Sequence, residues 1–212
     1  MLSLSLFCSS QTISLALFEE KKLIKLFKKK ILNNKIEGIF KILKKCLDDI
    51  DIKNISNIYF SSGPGSFTAL RSIKAISQAL ALSSNSNLMS TSSFALLLGS
   101  VTIKEKKVLV CFKSTNNSFF YQLFEKSGKI FRPKFELKFS EENQLISYFL
   151  EKKKDYKDLQ LLSSECFVSM KENKLNPIIK KVDASHLIHS IFLGYGTKNL
   201  KITYHNTYYE KF

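Results

Sequence analysis

The hydrophobic residues of this chain change period near residue 35, and that change limits the folds open to it. Before it, Leu2, Leu4 and Leu6 alternate with Ser3 and Ser5, and Ile13, Leu15 and Leu17 alternate with Ser14 and Ala16. A third run, Leu23-Ile24-Lys25-Leu26-Phe27-Lys28, follows a charged turn at 19–22. Apolar residues at every second position, in short runs between polar turns, predict antiparallel strands. After it, Ile36, Ile39, Phe40, Leu43, Leu47 and Ile50 recur at helical spacing, with Lys41, Lys44, Lys45 and Asp48 off the stripe. That predicts a helix over 35–50. Strands first, then a helix, exclude an all-helical bundle and an all-β sandwich.

The same reading continues along the chain. Ile58-Tyr59-Phe60 is a strand, 61–65 a loop, 66–82 a second helix, 87–89 a strand, and 93–99 a third helix. These make an α/β lobe over 1–105. A lysine-rich stretch at 104–107 marks a boundary, and a smaller α/β lobe over 106–212 follows. Its strands are expected at 108–113, 119–124, 130–137, 159–162 and 177–182, and its helices at about 140–153 and 184–193. Ser140, with Glu141 and Glu142 behind it, is the expected N-cap and acidic first turn of the first of these helices. No run of apolar residues approaches the ~18 that span a bilayer. The alternating N-terminus reads as a strand rather than a secretory signal. Cys8, Cys46, Cys111 and Cys166 are scattered without a C-x-x-C pair, so reduced thiols in a cytoplasmic protein are expected.

Chemistry concentrates at Gly63-Pro64-Gly65-Ser66-Phe67-Thr68-Ala69-Leu70-Arg71. Two of the seven glycines and one of the three prolines stand together there, between a strand and a helix. Glycine permits positive φ, proline fixes φ, and Ser66 is placed to cap the helix. Such a turn presents amides to an anion or simply turns the chain tightly; both readings stand. It is not a P-loop, because no lysine follows in the required place. Within the helix, Ser66, Ala69, Ser72, Ala75 and Ala79 form a stripe of small side chains beside a ridge of Ile73, Ile76 and Leu80. The ridge suits the chain's own core. The small stripe admits another helix at close range, or packs on the home sheet. Arg71 is one of only two arginines among 33 basic residues, the other being Arg132, and suggests a position that needs a planar guanidinium.

Formal net charge is +15, spread over both halves of the chain. Codon drift toward lysine and a surface that faces RNA both account for it. Ten lysines between 21 and 45 stand against Glu37 alone, which fits either RNA or a lysine-decorated sheet edge. His186 and His189 stand three residues apart without a third ligand, so no metal site is expected. No G-x-S-x-G elbow and no His–Glu–His cluster is present, which leaves serine-hydrolase and peptidase chemistry without support.

The stretch Ser-Ser-Gly-Pro-Gly-Ser-Phe-Thr-Ala-Leu-Arg at 61–71 resembles the signature of the TsaB family, accessory subunits of the bacterial machinery that makes threonylcarbamoyladenosine in tRNA. The family usually has G-P-G-S-F-T-G-[LVI]-R; six consecutive residues match and Ala69 replaces a glycine. Residues 6–18 stand where the family has its first hairpin. Ser90-Thr91-Ser92-Ser93-Phe94-Ala95 resembles its V-S-S-L-x-A, and Tyr208-Tyr209-Glu210-Lys211 stands at its terminal P-x-Y-x-R.

The resemblance implies a fold of two actin-like, ribonuclease H-like lobes, mixed sheets flanked by helices, in a degenerate ATPase. It implies a non-catalytic subunit that pairs with its paralogue TsaD, which transfers threonylcarbamoyl to the adenosine beside the anticodon. A TsaE-like ATPase joins them, TsaC or Sua5 supplies the adenylate, and tRNA is met through the complex. ATP and metal belong to the partners. The pairing surface is implied on the first two helices: Ile36, Ile39, Phe40 and Leu43, then Gly63, Pro64, Gly65, Ser66, Phe67, Thr68, Ala69, Arg71, Ser72, Ala75 and Ala79. Homodimerisation of the free protein through the same helices is left open. Two departures stand out: Phe7-Cys8 replaces the family's first-strand Asp-Thr, and Lys35 replaces a histidine. The alternatives are a stand-alone actin-fold phosphotransferase, which the missing carboxylate disfavours, and a basic RNA-binding module.

Overall fold

Leu2–Cys8 (β1), Thr12–Glu19 (β2) and Lys22–Lys30 (β3) form the antiparallel meander their alternation predicts, with Leu4 opposite Leu17 and Leu6 opposite Leu15. The computed structural model describes residues 1–9, 12–30, 35–114 and 117–204; the side chains of Lys35 and Ile36 lie outside that description. The helix Lys35–Leu47 (α1) leads to Ile55–Ser61 (β4), Phe67–Ser84 (α2) and Asn87–Thr91 (β5). The five strands make one mixed sheet in the order β3-β2-β1-β4-β5, with β1, β4 and β5 parallel.

Both faces of this sheet are covered, and the alternation says how. Leu4, Leu6, Cys8, Ile13, Leu15, Leu17, Ile58 and Phe60 share one core cluster with Ile39, Ile42 and Cys46 of α1 and Ala69, Ile73 and Ala81 of α2. The alternate residues Ser3, Ser5 and Ser14 are also buried, at 2% exposure or less. They lie under a short helix, Ser185–Ser190 (α6), which packs on β1 and β4. The sequence pattern is therefore not buried against exposed: the second line, Ser3, Ser5 and Phe7 on β1 with Ser14, Ala16 and Phe18 on β2, is buried as well. Ser14 Oγ accepts from the Ala184 amide at 2.9 Å, while Ser5 Oγ has no hydrogen-bond partner.

The second sheet contains Lys107–Lys113 (β6), Ser118–Ser127 (β7), Ile130–Pro133 (β8), Lys138–Glu141 (β9), Gln160–Ser163 (β10) and Ile178–Ile179 (β11). Its order is β11-β10-β6-β7-β8, and β9 pairs with the other end of β7. Glu142–Asp155 (α4) buries Leu145, Ile146 and Phe149 against Phe119, Tyr121 and Leu123. Two short helices, Ser93–Gly99 (α3) and Val168–Glu172 (α5), complete the list.

Several expectations need correction. Ser140 does not cap α4: it lies in β9, the cap position is Glu141, and no side-chain cap bond forms there. The strand expected over 130–137 ends at Pro133, whose ring supplies no amide to a ladder. The helix expected to 193 ends at Ser190 and continues as one wide turn, Ile191–Tyr195, with Gly194 at φ 100°. The compact units are Met1–Ser93 with the chain from Asp183 onward, and Phe94–Val182. The first unit thus ends at 93 rather than 105, and the described residues 183–204 belong with it. Leu200 and Ile202 pack against its core, and Ser90 pairs with Thr197.

Asp183 opens that return. Burial would raise its carboxyl, but hydrogen bonds from His186, Lys28 and Ser185 outweigh burial and hold it well below the usual carboxylate range. Lys28 reaches it from β3, and the Ser185 amide donates to it at 2.8 Å. A depressed carboxylate stabilises the fold above its unfolded value of about pH 4, and that contribution is lost as pH falls through the folded value. Asp183→Asn is expected to cost about 1–3 kcal/mol at pH 7. It should also flatten the acid limb of stability against pH, read from denaturant melts between pH 3 and pH 7.

Candidate functional site

The Gly-Pro-Gly turn is built by the strand before it and the helix after it. Ser62 N–H donates to Thr91 O at 2.9 Å and Ser93 N–H to Gly63 O at 2.6 Å, which fasten the start of the turn to the end of β5 and the start of α3. Gly63 has φ +97°, and the Gly63–Pro64 peptide is cis. Thr203 N–H donates to Ser62 O at 2.8 Å, so the returning tail crosses the turn. A Cβ on Gly63 would stand 2.2 Å from Thr203 O. Gly63, Pro64 and Gly65 are all buried. The turn is packed under the chain's own tail, which counts against an open anion cradle. Ser66 does sit at the N-cap of α2, but its side chain makes no cap bond.

The tail also explains two other residues. Tyr204 stacks on Phe67 with ring centroids 4.3 Å apart, and the Arg71 guanidinium lies 5.0 Å from the Phe67 centroid. The Arg71 cation thus lies near an aromatic ring.

The structure sorts the expected pairing residues into two groups. Ile39 and Ala69 are fully buried in the first core, Leu43 packs against it, and residues 63–65 are buried; none of these presents a side chain outward. The small stripe was drawn one line too far toward the core at Ala69, because a helix turned on a three-residue step drifts around its axis. What remains is a continuous outward face on α2: Thr68, Arg71, Ala75 and Ala79 are exposed, Ser72 is half-buried, and Leu82 is 85% exposed. Ser72 Oγ donates back to Thr68 O at 2.8 Å, which leaves the surface around it smooth. On α1, Phe40 is 55% exposed. Ser66 and Phe67 are half-buried beside the turn. The Ile36 side chain and the terminal Tyr208-Tyr209-Glu210-Lys211 lie outside the described residues. Sequence reading missed Leu82, whose exposure follows from its place on the same helical line as Ala75 and Ala79.

The first strand does not offer a nucleotide site of the usual actin-like kind. Phe7 and Cys8 are buried at 1% and 2% exposure, and Cys8 Sγ donates to Ser9 O at 3.2 Å. No carboxylate stands there to hold a magnesium-bound water, so this donor set does not fit magnesium-ATP. Among the described residues no group of three His, Cys, Asp or Glu side chains comes together for a metal; His186 turns to Asp183 at 3.2 Å, and His189 is exposed. None of the four cysteines is in a disulfide, and burial pushes the Cys46 thiol up to about 11. In the lysine cluster, Lys25 pairs with Asp49, Lys28 with Asp183 and Lys41 with Glu37. β3 is an edge strand of its sheet.

A model of the TsaD family, tRNA N6-adenosine threonylcarbamoyltransferase, matches residues 30–192. The chain belongs to that family. The fold of this TsaD-family chain is that of YeaZ from Pseudomonas aeruginosa, at 14% identity and a TM-score of 0.68, covering 96% of this chain and 99% of that one. A second structure, an uncharacterized protein with similarity to peptidase YeaZ from Pseudomonas aeruginosa, is 15% identical with a TM-score of 0.67, covering 93% and 94%. An inorganic polyphosphate/ATP-glucomannokinase from Arthrobacter sp. strain KM is 10% identical with a TM-score of 0.50, covering 91% and 98%. No curated protein matches the sequence. The actin-like, sugar-kinase-like fold expected from residues 61–71 is thereby borne out. Among the described residues, no helix is long and apolar enough to cross a membrane.

Proposed function

We propose that the chain is a TsaB-type subunit without catalysis of its own, which pairs with a TsaD-type subunit through the outward face of α2 and the neighbouring part of α1. In that pairing it supports threonylcarbamoyl transfer to the adenosine beside the anticodon of tRNA. The observation that carries the reading is the outward line of half-buried Ser72 and exposed Ala75, Ala79 and Leu82, with Phe40 exposed on α1. Small side chains let a partner helix approach closely, and Leu82 and Phe40 supply apolar area that a lone chain gains nothing by exposing. Burying a leucine side chain is worth about 1.5–3 kcal/mol, so Leu82 alone is a substantial anchor. Free chains pair with one another through the same face when the partner is absent.

Phe7 at the end of β1 supports the non-catalytic half of the reading, because magnesium-assisted phosphoryl chemistry needs a carboxylate there. ATP and metal then belong to the TsaD-type and TsaE-like partners, the adenylate comes from a TsaC- or Sua5-type enzyme, and the assembly works in the cytoplasm, where tRNA is. The stand-alone phosphotransferase alternative lacks a donor set. The test is reconstitution: tRNA modification by TsaD, TsaE and the adenylate donor, with and without this chain, alongside ATP turnover by the chain alone. Modification is expected only with the chain present, and ATP turnover no higher than in a mock purification. Steady ATP turnover by the chain alone, lost in a Gly65 variant, would overturn the reading.

A further inference from the structure

Between β9 and α4, within the second unit alone, lies an open groove of about 660 Å³. Its size falls inside the roughly 300–1,000 Å³ of ordinary small-ligand sites. Two aromatic rings form its floor: Tyr121 and Tyr148, tilted, with centroids 5.4 Å apart. Asn143 and Gln144 stand along its wall on the outward side of α4, and both are exposed. The Asn143 carbonyl oxygen accepts from Ser169 Oγ at 2.9 Å, which fixes the amide and leaves its NH₂ as the end available to a ligand. At the rim the Lys138 ammonium stands 4.1 Å from the Tyr148 centroid. Lys138 has no acidic partner among the described residues, and the one acid lining the groove, Glu151, is already paired with Lys152 at 2.9 Å. Lys153 and Lys154 are exposed on the same helix.

We propose that this groove holds a single-stranded segment of RNA, with one base stacked on Tyr148, its edge met by the Asn143 and Gln144 amides, and its phosphate met by Lys138. An aromatic face, amide donors and a cation without an acidic partner at one rim are what an unstacked nucleotide offers partners for. The cation over the ring marks the position: a base arriving on Tyr148 displaces the ammonium by the few ångströms that bring it to the adjoining phosphate. A neutral sugar would leave Lys138 without a role, and a peptide would find four residues of β9 edge and no apolar pocket. The chain's +15 charge draws RNA to the surface without selecting a place on it; the tyrosine and amides select the place. The site is separate from the pairing face on α2, so either assignment can fail without the other.

The test uses the full chain alone, with a fluorescein-labelled single-stranded oligoribonucleotide read by fluorescence anisotropy at several KCl concentrations. Tyr148→Leu is expected to weaken binding about 5- to 100-fold, by the same factor at each salt concentration, since stacking is not ionic. Tyr148→Phe is expected to bind like wild type. Lys138→Gln should lower the slope of log K against log [KCl] by about 0.7. Lys171→Gln, the same charge change on α5 away from the groove, should leave affinity within about 2-fold. The proposal is overturned if wild type binds no RNA, if folded Tyr148→Leu binds as wild type does, or if Lys171→Gln costs as much as Lys138→Gln. If Tyr148→Leu does not fold, the exposed pair Lys138→Gln and Gln144→Ala decides: wild-type binding by both sinks the idea.

Discussion

Gly63→Ala is expected to cost at least about 3 kcal/mol, a large fraction of the usual stability of a domain. Two independent penalties meet at this position. At φ +97° an L side chain is strained, which costs on the order of 1–3 kcal/mol. The new methyl would also stand 2.2 Å from Thr203 O and 2.8 Å from a Leu70 methyl. Leu70 can turn aside, but the Thr203 carbonyl belongs to a backbone segment fastened to Ser62, so the tail must lift. Lifting it exposes Leu200 and Ile202 and strips Tyr204 from Phe67. Gly65→Ala is the control: the nearest atoms to its added methyl are Leu70 carbons at 3.7–3.8 Å, ordinary contact, and its φ is not positive. Thermal melts of the two variants should therefore differ widely although the substitutions are chemically identical. Equal melting temperatures would show that the tail does not clamp the turn.

That clamp marks where the sequence was legible and where it was not. The strand meander, the helices at 35 and 66, and the turn between β4 and α2 were readable because each obeys a local period or a local punctuation. The return of the tail was not read, although Leu200, Ile202 and Tyr204 alternate in period two. A short alternating run after a glycine pair does not say which sheet it joins; that depends on a contact more than a hundred residues away, Ser90 with Thr197. The burial of the serines of β1 and β2 is not legible in the sequence, because polarity and smallness coincide in serine. Only the position of α6 distinguishes them. At the pairing face, spacing found Ser72, Ala75 and Ala79 but could not separate them from Ala69. Five small residues on three- and four-residue steps wrap far enough around a helix to cross from core to solvent. The groove over Tyr121 and Tyr148 was invisible for a different reason: its halves come from β7, β9 and α4, and neither Tyr-x-x-x spacing nor a motif joins them.

The proposed pairing face carries the other large effect. Ala79 is exposed, so a bulky residue there meets nothing in the free chain and should leave its melting temperature within about 1 °C, as for other surface substitutions. In a complex that brings a partner helix against α2, the same residue would overpack by about 1–3 kcal/mol, which weakens binding roughly 5- to 150-fold. Leu82→Ser would act in the opposite way, by removing the apolar anchor, and should lose a similar amount. Ala69→Leu completes the set: at 0% exposure in the core it should destabilise the free chain and say little about pairing.

The most direct measurement is therefore the affinity of the cognate TsaD-type subunit for wild type, Ala79→Leu and Ala69→Leu, by calorimetric titration, with melting temperatures taken on the same preparations. The account predicts a folded Ala79→Leu that binds at least about 5-fold more weakly, and an Ala69→Leu whose loss appears in its melting temperature. A folded Ala79→Leu that binds the TsaD-type subunit as tightly as wild type does would contradict it.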